Sequence, residues 1–270
     1  MQGASRASFG QARDSLTAVV ADPAVATTLG EELFEVTGLL DREVGLRRAL
    51  TDPTSPQGAR SGLVRGLLGG RVSHATLDLL VDLVTARWSV PGDLPDATER
   101  LAVLATVASA REGDEIDDVE DELFRFGRIV AANPELHAAL SSPLAPDDAK
   151  RSLVRTLLGD KVSAVSLRLL SQAVAGTRGR SLDATLTEYM RLAASWRERL
   201  IAEVRVATAL TDTQRQRLAA ALSQLYGHGV QINVVLDPHV VGGMSIQIGD
   251  EFIDGSLSNR LATLRRRLAA

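Results

Sequence analysis

Glycines, acids and hydroxyl side chains are concentrated in one stretch near the C-terminus, DPHVVGGMSIQIGDEFIDGSL, which spans residues 237–257. Glycine-rich loops cradle phosphate groups, and paired carboxylates act as general acids and bases. The stretch therefore raises two possibilities, a phosphate-binding loop and an acid–base site. Each of them requires a defined spacing, against which the residues can be compared.

The spacing satisfies neither a nucleotide-binding loop nor a serine nucleophile. A P-loop ends in glycine, lysine and a hydroxyl residue, and the sequence has no such end. A strand–glycine–helix order around G-x-G-x-x-G is also missing from the pattern. The motif GMSIQ has Gln247 where a nucleophile elbow needs glycine. Because Ser245 lies in an alternating strand pattern, we interpret it as a strand serine that faces solvent.

The acids and histidines also lack the spacing of a catalytic or metal site. Acids beside a turn usually solvate a hairpin, and zinc sites need spacings that the histidines do not show. The chain contains no cysteine, which excludes thiolate chemistry. We therefore expect no catalytic, cofactor-binding or metal-binding residue. The acids are Asp237, Asp250, Glu251 and Asp254, and the histidines are His74, His137, His228 and His239.

The elements around this stretch form a small α/β module. The alternating pattern of 200–210 predicts a strand, and 211–227 predicts a helix with Thr211 or Thr213 as its N-cap. Residues 230–237 predict a second strand. Two further strands are expected to meet at the turn Gly249-Asp250. Gly227 is predicted to end the helix, and Ser256 to cap a final helix. Gly242-Gly243 is predicted to permit a bulge or close backbone packing at the start of a strand.

A repeat with an offset of 90 residues organises the chain before this module. Residues 32–80 align without a gap with residues 122–170, and 20 of the 49 positions are identical. A solenoid needs at least three repeats to bury its faces, so two copies predict two tandem helical bundles. The predicted fold is mainly α, with bundles at 1–95 and 96–198 and a C-terminal α/β domain at 199–270.

Each copy predicts the same order of helices. A long amphipathic helix ends at a proline-containing break, a short helix ends at a glycine, and a third helix follows. The acidic segment 114–122 predicts a turn before the long helix of the second copy. The expected helices are 31–50, 59–69 and 74–88 in the first copy, 96–112 between the copies, and 118–140, 149–159 and 164–178 in the second copy.

The composition narrows the classes of function. A net charge of −4 argues against a general nucleic-acid binder, and the basic segment RLATLRRRL lacks interleaved aromatic residues for stacking. The longest uninterrupted apolar run, residues 101–108, is far shorter than the ~20 residues that cross a bilayer. The N-terminus lacks the apolar core of a signal peptide. We expect no nucleic-acid partner and no direct membrane insertion.

The C-terminal residues resemble the delta subunit of F-type ATP synthases, whose mitochondrial counterpart is the oligomycin-sensitivity-conferring protein. The shared signature is an acid, an aliphatic residue before two glycines, an alternating strand, Gly-Asp, and Ile-Asp-Gly-Ser before a basic helix. The resemblance covers about residues 100–270, including the helical segment 133–163. The matching residues are Asp237, Val241, Gly242, Gly243, Gly249, Asp250, Ile253, Asp254, Gly255, Ser256 and Leu257.

The extra helical copy resembles the long actinobacterial form of this family, without its fusion to a stalk subunit. The resemblance implies a non-catalytic stator subunit, present once per complex and without a cofactor. It would link the N-terminal helices of the alpha subunits to the b subunit of the peripheral stalk, and so resist rotor torque. It would lie at the cytoplasmic face of the plasma membrane, held there through the complex.

Two alternatives stay open at this point. The chain could instead be a helical adaptor or regulatory scaffold that uses the same fold in another complex. Within the stator interpretation, we expect the second copy, residues 106–195, to bind the catalytic head, because it adjoins the C-terminal module as it does in one-copy relatives. The first copy would then brace the b subunit or another alpha subunit.

Overall fold

The structure is a computed structural model that describes residues 1, 3–110, 113–176, 178–199, 201–226, 230–237, 240, 242–248 and 251–254. Contacts divide the chain into two compact units, Met1–Ala194 and Ser195–Ala270. Helices precede the sheet in chain order. They are α1 (Ala4–Val19), α2 (Pro23–Arg42), α3 (Val44–Thr51), α4 (Gln57–Leu68), α5 (His74–Thr85), α6 (Asp93–Ala108), α7 (Gly113–Ala132), α8 (Pro134–Ser141), α9 (Asp147–Leu158), α10 (Ala164–Ala175) and α11 (Leu182–Arg199).

The helices repeat with the 90-residue offset of the sequence. Helices α2 to α5 correspond to α7 to α10, and each start and each end is displaced by 90 residues. The structure extends the correspondence beyond the aligned sequence, because α1 corresponds to α6 and α6 corresponds to α11 within one residue. Each copy is therefore a set of six helices, α1–α6 and α6–α11, and the two copies share α6.

The shared helix α6 is buried on all sides. Every residue from Leu101 to Val107 is buried, whereas α1 buries only a stripe at Ser5, Ser8, Ala12 and Leu16. A helix that is buried all round belongs to the interior of a larger core, and a helix with one buried stripe belongs to a surface. Helix α6 packs most extensively on α2 and also contacts α1, α3, α5 and α10.

The predicted domain division at residue 95 differs from this arrangement. Residue 95 is the third residue of the helix Asp93–Ala108, and both copies, up to Ala194 in α11, fall within the single unit Met1–Ala194. The physical reason is that α6 completes the first bundle while it begins the second. The other predicted boundary, at residue 198, lies close to the observed division after Ala194.

Three predicted helix boundaries also need correction. The long helices predicted at 31–50 and 118–140 are each two helices, with breaks at Glu43 and Asn133. The turn predicted at 114–122 is wrong, because α7 begins at Gly113. Within that segment Ile116 and Val119 are buried at helical spacing, and acids are favourable in the first turns of a helix as well as in turns.

The predicted caps are confirmed where the structure describes them. Gly69 and Gly159 follow α4 and α9 as C-caps. Thr211 caps α12 (Asp212–Tyr226) in a reciprocal arrangement with Gln214: the Gln214 N–H donates to Thr211 Oγ1 at 3.3 Å, and the Thr211 N–H donates to Gln214 Oε1 at 2.9 Å. Gly227 lies outside the described residues.

The C-terminal unit contains a four-stranded sheet with α12 between its first two strands. The strands are β1 (Ile201–Val206), β2 (Gln231–Leu236), β3 (Met244–Ile248) and β4 (Glu251–Asp254), in the order β2-β1-β3-β4. Strand β1 pairs in parallel with β2 and antiparallel with β3, which pairs antiparallel with β4. A parallel pair needs a crossover connection, which α12 provides. The buried core comprises Ala202, Val204, Val206, Leu222, Val230, Ile246 and Ile248.

Candidate docking surfaces

The described residues of the glycine-rich stretch shape the backbone of the sheet. Gly242 and Gly243 have φ angles of 66° and 81° directly before β3, a conformation that strains side-chain-bearing residues. The Asp237 N–H donates to Val206 O at 2.9 Å and extends the sheet pairing. Ile253 lies opposite Ile246 in the register of β4. Gly242 and Gly243 bend the chain before β3, and Asp237 and Ile253 take part in the pairing of the strands.

Other signature positions are not tested by the structure. Asp254 lies opposite Ser245 in register. The predicted turn and the predicted cap of a last helix lie outside the described residues. The positions concerned are Val241, Gly249, Asp250, Gly255, Ser256 and Leu257.

The predicted exposure of Ser245 is wrong. Its side chain is buried, because β3 is an inner strand with Arg205 of β1 and Asp254 of β4 on either side of it. Among the residues that the structure describes, no three potential metal ligands come together. His137 lies 3.9 Å from Asp183 as a partly exposed pair, and His228 and His239 lie outside the described part of the chain.

An open cleft runs between α1 and α5 in the first copy. It encloses about 570 Å³, and a second cavity of about 450 Å³ shares part of its wall. The α1 side carries small or short polar side chains. The α1 residues that line the cleft are Ala4, Ala7, Ser8, Gln11, Ala12 and Ser15, and the residues shared by both cavities are Ala4, Gln57, Thr85, Ala86 and Arg87.

Short hydrogen bonds fix α1 to the other wall. Ser5 Oγ donates to Asp93 Oδ2 at 2.7 Å and accepts from the Ser89 N–H at 2.7 Å. Ser8 Oγ donates to the carbonyl oxygen of Arg87 at 2.7 Å. These bonds join the start of α1 to the segment between α5 and α6. Of these bonds, the one between Ser8 and Arg87 joins two residues that line the cleft.

The corresponding surface of the second copy is closed. The repeat places Leu94, Ala97, Leu101 and Ala105 of α6 where α1 has Ala4, Ala7, Gln11 and Ser15. All four residues of α6 are at most 1 % exposed, whereas their counterparts on α1 are exposed or half-buried. The duplication has therefore left an open α1-type groove in the first copy and a filled one in the second.

A buried ionic cluster joins the two copies. Glu99 of α6 is 3 % exposed and accepts from Arg178 Nη1 at 2.9 Å, from Arg180 Nη2, and from the Tyr189 hydroxyl at 3.0 Å. Arg178 also pairs with Asp41 of α2, and with Asp96 at 2.9 Å. The carboxylates come from the first copy and from α6, and the other groups come from the second copy.

The cluster sets the charge states of its members. Burial alone would lower the pKa of Arg178, but the carboxylates of Asp41, Glu99 and Asp96 outweigh it and raise that pKa above its usual value. Burial raises the pKa of Tyr189 well above its usual range, and the charge of Glu99 adds to the rise. The arginine therefore stays charged, and the phenol stays protonated as a donor to Glu99.

A second contact is repeated in both copies. Glu32 accepts from the N–H and the Oγ–H of Ser73, both at 2.8 Å. Glu122 does the same with Ser163, at 2.9 and 2.8 Å. Each serine is the N-cap of the next helix, α5 or α10. The repeated carboxylate thus fixes the long helix of each copy to the start of a later helix.

The two edge strands of the sheet carry exposed apolar side chains. Leu236 of β2 is 60 % exposed and Phe252 of β4 is 61 % exposed, with Val235 and Ile253 beside them. Exposed edges with apolar residues are surfaces on which another chain can pair or pack. These edges form the candidate docking surface of the C-terminal unit.

Sequence reasoning missed the residues that build the cleft and the cluster. The aligned repeat keeps a cation at three positions, Arg60/Lys150, Arg65/Arg155 and Arg71/Lys161, and nothing in the sequence marks the first pair as the buried one. Glu99 and Arg178 lie outside the aligned segments. Neither the sharing of α6 nor the meeting of these two residues is visible in the periodicity of one helix.

Comparison with known proteins gives one family match over the second copy and the C-terminal unit, and relatives that match the whole chain. The family described as ATP synthase delta (OSCP) subunit matches residues 103–268, which begin within α6. The chain is 48% identical to ATP synthase subunit delta of Thermobifida fusca (strain YX), with 100% of both chains covered. It is 47% identical to the same subunit of Streptomyces avermitilis, covering 99% of this chain and 98% of that one. It is also 47% identical to the same subunit of Kineococcus radiotolerans, covering 99% of this chain and 97% of that one.

A solved structure of the Toxoplasma gondii mitochondrial ATP synthase hexamer contains a chain that is 17% identical. The likeness covers 63% of this chain and 94% of that chain, with a TM-score of 0.32, and it carries no argument. The family match over residues 103–268 and the full-length relatives are sufficient. This chain belongs to the ATP synthase delta (OSCP) subunit family.

Proposed function

We propose that this chain is a non-catalytic peripheral-stalk subunit of a proton-translocating F-type ATP synthase. It would link the alpha subunits of the catalytic head to the b subunit and hold the stator against rotor torque. The observation that carries the proposal is the similarity of 47–48% over essentially the whole chain to delta subunits. The geometry supports it, since the described surfaces offer docking clefts and edges.

The α1–α5 cleft is the surface that we assign to the head. An amphipathic helix binds in a groove between helices when small side chains allow its backbone to approach. Ala4, Ala7 and Ala12 meet that need along α1. Because the counterpart groove on α6 is filled, we propose that an alpha N-terminal helix docks on the first copy. This reverses the expectation, made from sequence, that residues 106–195 bind the head.

The C-terminal unit is assigned to the b subunit. Its exposed edge residues Leu236 and Phe252 offer apolar area at both sides of the sheet. A helical stalk end could pack on either edge and remove that area from water, at roughly 25 cal/mol per Å² of apolar surface. The sheet would then be the point at which the stalk is held.

The construction of the helical unit supports a role in resisting torque. Helix α6 belongs to both copies, and the Glu99 cluster joins them through charge-assisted hydrogen bonds. A shared helix leaves no flexible linker between the copies. A force applied to one copy would therefore be transmitted to the other without a hinge.

The proposal places one copy of the chain per complex, bound peripherally through its partners at the cytoplasmic face of the membrane. Among the described residues, no helix combines the length and apolarity needed to cross a bilayer. Attachment would therefore rest on the alpha and b subunits.

The test is a calorimetric titration of the purified chain with two peptides, the N-terminal segment of the alpha subunit and the C-terminal segment of the b subunit from the same cells. Saturable 1:1 binding of both is expected. Failure of both to bind would refute the proposal. The adaptor alternative is tested by purifying the native chain from membranes, since recovery without alpha, beta and b subunits would favour it.

A variant that lacks residues 1–95 would not show which copy binds the head. The cut would fall inside α6 and remove α2, which packs most extensively on it. A loss of binding would then report unfolding of both copies. Point substitutions in the open cleft, such as those described below, separate the two effects.

A further inference from the structure

Arg60 is a buried cation without an ionic partner. Its residue is 6 % exposed, its Nη1 donates to the carbonyl oxygen of Ala86 at 3.3 Å, and its Nε is buried without a hydrogen-bond partner. Among the residues that the structure describes, no carboxylate lies within ion-pair distance of it. The hydrogen bonds from Thr54 lower the pKa of Asp52, and the charge of Arg60 adds a smaller effect in the same direction. The Asp52 carboxylate already accepts from the Thr54 N–H and hydroxyl at 2.9 and 2.7 Å.

A guanidinium in this position is costly for the chain alone. Buried charges in folded proteins are paired, and an unpaired one loses hydration without recovering it in a salt bridge. The second copy nevertheless has Lys150 at the same position, which is also buried. Cations also align at Arg65/Arg155 and Arg71/Lys161, but those four are exposed, so Arg60 and Lys150 are the aligned cations that are buried.

The position of Arg60 connects it to the docking cleft. It lines the cavity of about 450 Å³ together with Thr51, Ser55 and Trp88, and this cavity shares wall residues with the α1–α5 cleft. Arg87, which is exposed, adds a second positive charge to the shared wall. The only acid that lines the α1–α5 cleft among the residues described is Asp82. The Arg60 end of the combined cleft is therefore its positive end.

We propose that Arg60 forms an anion subsite at the end of the α1–α5 cleft and accepts a carboxylate side chain of the docked partner helix. The inference rests on the proposed function and identifies the chemistry of the partner at this site. A guanidinium presents donors in a planar fork, which suits a carboxylate better than a point charge does. Docking would supply the ionic partner that the free chain lacks.

The subsite would give the unpaired cation of the first copy an ionic partner. It does not account for Lys150, because the groove of the second copy is filled. In the free chain Arg60 forms no salt bridge, and its hydrogen bond to the C-cap carbonyl of α5 is long, at 3.3 Å. Its replacement by a neutral residue of similar length should therefore change the melting temperature by less than about 2 °C. In the complex the same replacement leaves the carboxylate of the partner without its cation. A structural role for Arg60 predicts the opposite pattern, a less stable chain with unchanged affinity per folded molecule.

The experiment is a titration of the full chain with the alpha N-terminal peptide from the same cells and with versions in which each acidic residue is changed to its amide. The variants are Arg60→Gln, Arg60→Lys and the control Arg65→Gln, an exposed arginine on the same helix. We expect Arg60→Gln to weaken binding about tenfold or more, Arg60→Lys to weaken it less, and the control to change it less than twofold.

The coupling between partners decides the result. One amide version of the peptide should bind the wild-type chain more weakly, by the same factor that Arg60→Gln causes with the original peptide. The same amide version should bind Arg60→Gln almost as well as the original peptide does, as expected for two groups in contact. If every amide version loses affinity by the same factor on the wild-type chain and on Arg60→Gln, the inference is wrong while the stator function stands. If the peptide binds no version of the chain, the assignment of the cleft to the head fails instead.

A free anion is the competing occupant. Titration of the wild-type chain with inorganic phosphate, followed by the peptide, separates the two. Phosphate that binds in the millimolar range or tighter through Arg60, while the amide peptides bind as well as the original, would overturn the inference. Phosphate that leaves peptide affinity unchanged at constant ionic strength supports the carboxylate assignment.

Discussion

Replacement of Glu99 by glutamine tests whether the two helical copies are joined by the buried cluster. The side chain keeps its size, so the substitution leaves no cavity, but the carboxylate no longer neutralises Arg178 and Arg180. Breaking a buried ion pair by removing one partner costs about 3–5 kcal/mol. Arg178 retains Asp41 and Asp96, and the Arg180 side chain is 32% exposed, so we take the lower end, about 3 kcal/mol.

That loss should be visible in thermal unfolding. For a unit of 150–250 residues, 1 kcal/mol corresponds to roughly 2–4 °C, so Glu99→Gln should lower the melting temperature by about 6–12 °C. Differential scanning calorimetry of the full chain measures it. The control is Asp121→Asn, which removes an exposed pair with Arg125 and should cost about 0.5 kcal/mol or less. A melting temperature of Glu99→Gln within 2 °C of this control would refute the role of the cluster.

Further predictions concern close packing, the repeated contact and pH. A Cβ at Gly30 would lie 2.5 Å from the Oγ1 of a threonine on α6, whereas a Cβ at Gly66 would have nothing within 4 Å. In urea unfolding, Gly30→Ala should lower the free energy of unfolding by about 1–3 kcal/mol. Gly66→Ala should raise it by about 0.5–1 kcal/mol. Equal effects would contradict this. Glu32→Gln and Glu122→Gln should each cost about 1–2 kcal/mol, and a cost in only one copy would show that the contacts differ. Because the pKa of Tyr189 is raised on folding, its contribution is complete below about pH 10 and is lost as the pH rises further; Tyr189→Phe should flatten the alkaline loss of stability, and an unchanged slope would argue against it.

The sequence predicted those parts of the fold that depend on local signals. The 90-residue repeat, the glycine C-caps and the order of strand, helix and strand after residue 200 all leave a mark in neighbouring residues. The break at Glu43 leaves none in the first copy, although its counterpart, Asn133, stands before a proline. The second copy therefore carried a boundary signal that the first copy lacks.

The rest depends on contacts between distant segments. Outside the aligned segments α1 and α6 have diverged, because one has kept a single buried stripe while the other is buried all round. That difference follows from the packing of α2 on α6, which no periodicity encodes. Arg60 shares a cationic counterpart in the repeat with Arg65 and Arg71, and only the fold shows that it is buried beside the cleft.

The most direct test of the account measures binding of the alpha N-terminal peptide to a chain whose α1–α5 cleft is blocked. Ala7 is exposed and lines the cleft, so Ala7→Trp should fill it without disturbing the core. Ala49→Trp, on an exposed position of α3, is the matched control. The account predicts that Ala7→Trp weakens the peptide at least tenfold in calorimetry, with a melting temperature and b-peptide affinity equal to those of the control. Unchanged affinity of Ala7→Trp for the alpha peptide would contradict it.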